Sequence, residues 1–91
     1  MSGADRLARI EALLRQALEP TELEIVDEGH LHVGHAGARD GRGHFRVRLV
    51  SERFSGQSPL ARHRLVYAAL GDMLDSDIHA LALKTLAPEE L

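Results

Sequence analysis

The sequence of 91 residues contains no cysteine and very few aromatic residues. Without cysteine the chain cannot form the disulfide framework of small secreted domains, and it has no thiolate for a soft metal. Any metal held by this chain alone must therefore be bound by imidazole or carboxylate. Phe45, Phe54 and Tyr67 are the only aromatic residues, too few for the stacking platform that binds single-stranded nucleic acid.

Long apolar runs and familiar catalytic motifs are also missing. Charged residues such as Arg6, Arg9 and Arg15 interrupt the N-terminal apolar stretch, so the sequence predicts neither a secretory signal nor a membrane span. It contains no Gly-x-Ser-x-Gly motif, phosphate-binding P-loop or Gly-x-Gly-x-x-Gly motif. We therefore expect a cytoplasmic protein with no membrane association, which is a binding module and not an enzyme.

The charged residues are distributed unevenly along the chain. Residues 39–64 contain seven arginines against Asp40 and Glu52, a local net charge of +5 in a chain of net charge −3. The flanking segments, 1–38 and 65–91, each have a net charge of −4. A basic centre suits an acidic partner or a phosphate backbone, and it suits internal ion pairs with the acidic flanks equally well.

Hydrophobic periodicity predicts one α+β domain over residues 1–91, with segments in the order α-β-β-α-α-β-α. Ser58 suits an N-cap and Pro59 the first helical position, so we expect a helical region from here to about Leu74. Gly56 and Pro59 are expected to split it into a short turn of helix and a longer helix. The other predicted segments are a helix ending at Glu19-Pro20, strands over 22–27, 44–50 and 78–85, and a helical turn from Pro88.

A long loop rich in glycine and histidine is predicted over residues 28–43. It contains five of the eight glycines and three of the six histidines, and loops of this length are usually functional or disordered. The spacing His30-x-His32-x-x-His35 is typical of a metal site, but zinc needs three or four ligands. A second element would have to complete such a site, and solvated loop histidines are the alternative interpretation.

The other three histidines lie in predicted secondary structure. His44 begins the second strand, where we expect it to hydrogen-bond to nearby backbone. His63 is expected at the margin of a buried helical stripe, which consists of Leu60, Val66 and Leu70. His79 begins an apolar run over 78–85 that predicts a strand buried on both faces. A polar side chain in such a strand must find a partner or reach the surface.

Several blocks of this sequence resemble those of BolA-like proteins. The signature of that family is similar to Phe54-x-Gly56-x-Ser58-x-x-x-Arg62-His63-Arg64-x-Val66. Its C-terminal block is similar to Ile78-His79-Ala80-Leu81-Ala82-Leu83 with Thr85 and Pro88, and Asp27-Glu28 and His44-Phe45-Arg46-Val47 fit in order and spacing. The resemblance covers nearly the whole chain. It implies a class II KH-like α+β domain with a helix-turn-helix and a mixed three-stranded sheet.

The resemblance also implies a non-enzymatic adaptor in iron–sulfur cluster assembly or trafficking. BolA-like proteins form heterodimers with monothiol glutaredoxins and share a bridging [2Fe–2S] cluster with the glutaredoxin cysteine and the glutathione of the partner. No cofactor is therefore expected in the isolated chain. The family's ligand at the start of the last strand corresponds to His79. Its loop ligand corresponds to His32, with His35 as the alternative and His30 third.

A second interpretation follows from the same resemblance, because some BolA-like proteins are assigned as DNA-binding transcriptional regulators. The helix-turn-helix region over 54–74 would then approach a major groove with Arg53, Arg62 and Arg64. The local charge of +5 favours DNA contact, whereas the negative charge of the whole chain opposes it. The same arginines could equally contact an acidic glutaredoxin surface or the carboxylates of glutathione.

Overall fold

The helices and strands follow the predicted order. The structure is a computed structural model and describes residues 3–29 and 43–91. It confirms the α+β class and the mixed sheet, whereas the KH-like classification stays a prediction. The elements are α1 (Gly3–Leu18), β1 (Glu22–Asp27), β2 (Gly43–Val50), α2 (Pro59–Leu70), α3 (Met73–Ser76) and β3 (Ile78–Leu86), with 3₁₀ turns at Glu52–Phe54 and Pro88–Glu90.

The sheet has the strand order β1-β2-β3, so β2 is its central strand. β2 pairs antiparallel with β1 and parallel with β3. A parallel pair requires a crossover connection, which here contains α2 and α3. Because side chains alternate along a strand, Phe45 and Val47 enter the core, whereas Arg46 and Arg48 point to the opposite, outer face of the sheet.

The core lies between the helices and the inner face of this sheet. α1 contributes side chains at four-residue spacing, which places them on one face of the helix. Most side chains in the core are aliphatic, and two are phenylalanines. The buried cluster consists of Ile10, Leu14, Leu18, Phe45, Val47, Leu49, Phe54, Val66, Leu70, Met73, Ile78 and Ala87. Among the described residues, no helix has the length and apolar character needed to cross a membrane.

The prediction that the last strand is buried on both faces is wrong. β3 lies at the edge of the sheet, and its outer-face residues Ala80, Ala82 and Lys84 are exposed. Only its other face, which includes Ile78, packs against the core. Alanine extends an apolar run in the sequence but has little side-chain area to bury, so the run resembled a fully buried strand.

Helix α2 begins where it was predicted to begin. The Ser58 hydroxyl accepts a hydrogen bond from the Ala61 N–H at 3.1 Å, and Pro59 occupies the first turn. The predicted short helical turn and longer helix on either side of Gly56 and Pro59 are present, as the 3₁₀ turn at Glu52–Phe54 and α2. A further division, which was not predicted, lies at Gly71. Gly71 has a φ of 55°, which glycine adopts at little cost, and its N–H donates to the Tyr67 carbonyl at 2.9 Å.

The predicted buried stripe on α2 is confirmed only in part. Val66 and Leu70 are buried, but Leu60 is 59% exposed. At 100° per residue, Leu60 lies about 120° around the helix from Val66, whereas Leu70 lies about 40° from it. Leu60 therefore belongs to a different face, and that face points away from the core.

Candidate functional site

Two histidines meet at one end of the sheet. His44 is buried, at 7% exposure, whereas His79 is exposed, and their ring centroids lie 5.0 Å apart with a tilt of 47°. The strand register explains this contact. Gly43 is opposite Ile78 but His44 is opposite Ala80, so His79 is an extra residue at a bulge.

The β2–β3 pair can begin at position 43 because glycine has no Cβ there. Its N–H donates to the Asp77 carbonyl at 2.9 Å. A Cβ at this position would lie 2.4 Å from Cε2 and 2.8 Å from Cζ of Phe45. The Phe45 ring is fully packed in the core and has little room to move. Any larger residue at position 43 would therefore displace the phenylalanine or shift the strand that carries His44.

The predicted loop ligands, His32 and His35, belong to segment 30–42, which lies outside the described residues. The same is true of His30. Most of the predicted loop over 28–43 falls in this segment, and its last residue, Gly43, is already part of β2. A role for these loop histidines as ligands therefore stays a prediction.

Both ends of segment 30–42 are attached beside the histidine pair. Before the segment, the Glu28 N–H donates to the His44 carbonyl at 2.7 Å. After it, Gly43 pairs with the residue that precedes His79. The chain thus enters and leaves segment 30–42 next to both histidines.

A shallow cleft of about 250 Å³ opens beside His44. Ala80 and Ala82 line it with small side chains, and Glu28 lies at its border. The Glu28 carboxylate accepts a hydrogen bond from Arg46 Nε at 3.1 Å, which balances its charge. Within residues 3–29 and 43–91, no three histidine, cysteine or carboxylate side chains converge to hold a metal ion. A metal bound at the histidine pair would need further ligands.

Arg62, a predicted contact residue for a partner or DNA, makes an internal network. Its Nη1 donates to Glu90 Oε1 at 2.5 Å and to the Thr85 carbonyl at 3.2 Å. Its Nε donates to the Gln57 carbonyl at 2.9 Å, and the guanidinium lies 6.0 Å from the centre of the Phe54 ring. With its side chain only 11% exposed, Arg62 has little surface left for a ligand.

Glu90 is the acidic half of this network. Its Oε1 also accepts a hydrogen bond from the Ala87 N–H at 2.7 Å, as the glutamate of a capping box does. The hydrogen bonds from Arg62 and then from Ala87 lower the pKa of Glu90 below its usual value of 4.5. The carboxylate therefore stays ionised and ties the C-terminal turn to α2.

Arg53 and Arg64 are more accessible than Arg62. Arg53 donates to Glu19 Oε1 at 2.6 Å, in an exposed ion pair of a kind that contributes little to stability. Arg64 is exposed on α2. The structure therefore does not bring the three predicted arginines into one surface, because Arg62 turns inward.

These features define a small α+β domain with helices on one face of a mixed three-stranded sheet and a histidine pair at the strand ends. A family model described as BolA-like protein matches residues 14–90. The chain belongs to the BolA-like protein family. The solved BolA domain of SufE1 from Arabidopsis thaliana has the same fold, with a TM-score of 0.84, 40% identity and coverage of 100% of this chain and 99% of its own.

Two relatives differ in the names that they carry. The DNA-binding transcriptional regulator BolA of Escherichia coli (strain K12) is 46% identical over 82 residues, which cover 90% of this chain and 75% of the relative. The SufE-like protein 1, chloroplastic/mitochondrial, of Arabidopsis thaliana is 43% identical over 88 residues, which cover 91% of this chain. The match spans only 24% of that relative's length.

Sequence reasoning missed the roles of His44 and Gly43. It placed His44 in the framework beside backbone, and the structure adds that its ring packs against His79. The signal available in the sequence was that both histidines begin strands. Because strand register is not encoded locally, that signal did not predict the contact.

Proposed function

We propose that this chain is a non-enzymatic adaptor in iron–sulfur cluster assembly or trafficking that forms a heterodimer with a monothiol glutaredoxin. In this proposal His79 and His32, or alternatively His35, bind one iron of a bridging [2Fe–2S] cluster. The glutaredoxin cysteine and a glutathione thiolate bind the other iron. The proposal rests on the exposed position of His79, at the strand end where segment 30–42 begins and ends.

The donor chemistry of the chain fits half of such a site. Two imidazoles can replace two thiolates on one iron of a [2Fe–2S] cluster, which raises its reduction potential. The chain has no cysteine, so thiolates for the other iron must come from a partner. An imidazole must be neutral to bind iron, and ligation should therefore weaken as the pH falls. The ring of His44 lies against that of His79 and limits the orientations open to the ligand.

Family membership supports the same proposal. The domain is found joined to further sequence in a relative that is named SufE-like, a name that connects it with iron–sulfur assembly. That relative is also named chloroplastic/mitochondrial, so the cytoplasmic location expected for this chain stays a prediction.

Cluster reconstitution tests the proposal. The chain is mixed anaerobically with a monothiol glutaredoxin, glutathione, ferric iron and sulfide, and visible absorption and circular dichroism are recorded. We expect a spectrum different from that of the glutaredoxin homodimer. His79→Ala should restore the homodimer spectrum, whereas the matched control His63→Ala, on α2, should not. An unchanged spectrum with His79→Ala would exclude His79 as a ligand.

The loop ligand is identified in the same experiment. His32→Ala and His35→Ala are compared separately, and the variant that changes the heterodimer spectrum identifies the ligand. If neither variant alters the spectrum, the second nitrogen does not come from these two histidines, and His30→Ala and His44→Ala become the deciding variants.

DNA binding is the second candidate function, and the name of the relative from Escherichia coli supports it. The described geometry supports it less. α3 has a single turn, which is short for a helix that reads bases, and Arg62 is held by Glu90. Titration with duplex DNA at physiological salt tests it. Arg64→Gln should weaken DNA binding and make its salt dependence shallower. If Arg62→Gln lowers the affinity and Arg64→Gln does not, the exposed position of Arg64 and the internal position of Arg62 would not explain DNA binding.

A further inference from the structure

Helix α2 carries large apolar side chains on the side that points away from the core. Leu60 is 59% and Tyr67 is 41% exposed, whereas Val66 on the core-facing side is fully buried. Positions 60, 64 and 67 have the i, i+4, i+7 spacing of one helix face. Leu60, Arg64 and Tyr67 therefore form a continuous surface, which we call the outer stripe.

Exposure of this kind is common for single residues but less so for a group of neighbours. Leu65, which is 37% exposed, lies on another side of the same helix, about 100° around from Arg64. Three of the five exposed large hydrophobic residues in the described part of the chain thus lie on this one helix. A helix that is apolar on two sides is usually covered on both, and residues 3–29 and 43–91 leave the outer stripe uncovered.

The Tyr67 ring is held in place before any partner binds. His63 packs against it edge to face, with ring centroids 6.4 Å apart and an interplanar angle of 66°. Tyrosine is enriched at the centres of protein interfaces, and a ring that is already oriented loses less conformational entropy on binding.

The charged side chains that α2 carries are all arginines. Residues 53–71 include three arginines and no aspartate or glutamate. Arg53 and Arg62 are paired with Glu19 and Glu90. Arg64 is exposed and makes no ion pair within the described residues. An occupant that brings a carboxylate to Arg64 would therefore neutralise the charge left open on this face.

We propose that the outer stripe docks an acidic amphipathic segment of a partner protein, which offers a carboxylate to Arg64 and apolar side chains to Leu60 and Tyr67. A DNA backbone is the less suitable occupant, since it would contact one unpaired cation and leave two large apolar side chains unused. The stripe lies on α2, whereas the histidine pair lies at the start of β2 and β3.

The test is a nuclear magnetic resonance titration of the ¹⁵N-labelled full chain with two synthetic helical peptides. Both have leucine on one face, and one carries glutamate and the other lysine on the opposite face. We expect the glutamate peptide to shift the amides of residues 60–67 and the lysine peptide to bind at least about tenfold more weakly. Arg64→Glu and Leu60→Ser should each lower the affinity for the glutamate peptide by about five- to thirtyfold.

Matched controls lie on the outer face of the sheet. Lys84→Glu makes the same charge change as Arg64→Glu, and Val26→Ser removes another exposed apolar side chain. Neither should change peptide binding. Equal weakening by Lys84→Glu, or equal binding of both peptides, would overturn the proposal. If a DNA duplex shifts residues 60–67 in an Arg64-dependent manner and the glutamate peptide does not bind, the stripe is a nucleic-acid surface and the proposal is wrong.

Discussion

The imidazole rings of His44 and His79 pack 5.0 Å apart because a bulge at the start of the parallel β2–β3 pair places His79 as an extra residue beside β2. One ring is buried and the other exposed. The two histidines should therefore differ in what their removal costs, even though they contact each other.

Alanine substitutions separate the two roles. His79→Ala should change the free energy of unfolding by no more than about 0.5 kcal/mol, as is usual for an exposed residue. His44→Ala removes a buried ring and should cost about 2 kcal/mol. Urea unfolding followed by circular dichroism measures both. A His79→Ala variant that is as destabilised as His44→Ala would show that the exposed ring is a structural residue.

Gly43→Ala tests the close approach to Phe45. The added Cβ would lie 2.4 Å from the ring, so the variant should lose about 1–3 kcal/mol of stability through overpacking. In a Phe45→Leu background the same substitution should cost less, because the shorter side chain leaves room. A double-mutant cycle by urea unfolding measures this coupling. Strictly additive costs would mean that Gly43 is required for another reason.

The ion pair of Arg62 with Glu90 predicts a pH dependence of stability. Because the pKa of folded Glu90 is lowered below 4.5, its ionised form stabilises the fold above about pH 4.5. This contribution is lost as the pH falls through the lowered pKa. Glu90→Gln should therefore destabilise the chain at pH 7 and have little effect at low pH, as measured by thermal unfolding.

Glu52→Gln is the matched control for that experiment. It makes the same change at an exposed carboxylate that takes no part in the Arg62 network. If the stability of Glu90→Gln depends on pH in the same way as that of the wild type and of Glu52→Gln, the Arg62–Glu90 pair is not the source of the pH dependence.

Glu19 is a non-glycine residue in the left-handed region, with a φ of 47° directly after α1. Its N–H still donates to the Arg15 carbonyl at 3.2 Å, and its left-handed backbone ends the helix. Glu19→Gly should stabilise the chain by about 0.5–1 kcal/mol, because glycine has no Cβ penalty here and the lost ion pair with Arg53 is weak. Glu19→Ala loses the pair but keeps the penalty. Thermal unfolding should rank glycine above alanine at this position, and the opposite order would contradict the prediction.

The predictions from the sequence succeeded where the determining residues are neighbours along the chain. The alternation in residues 22–27 predicted β1, and Ser58-Pro59 predicted the beginning of α2. They failed for the burial of β3, which depends on its place at the sheet edge. The ligand role of His79 came from the resemblance and not from spacing, and it still awaits the reconstitution experiment.

The sequence by itself thus determined the order of the elements, the cap of α2 and the motifs of the BolA-like family, since each depends on residues close together in the chain. Only the tertiary structure decided that Arg62 turns inward to Glu90, that Leu60 faces outward and that His44 meets His79. The physical reason is that register and packing bring together residues distant in the chain, and no local pattern specifies those contacts.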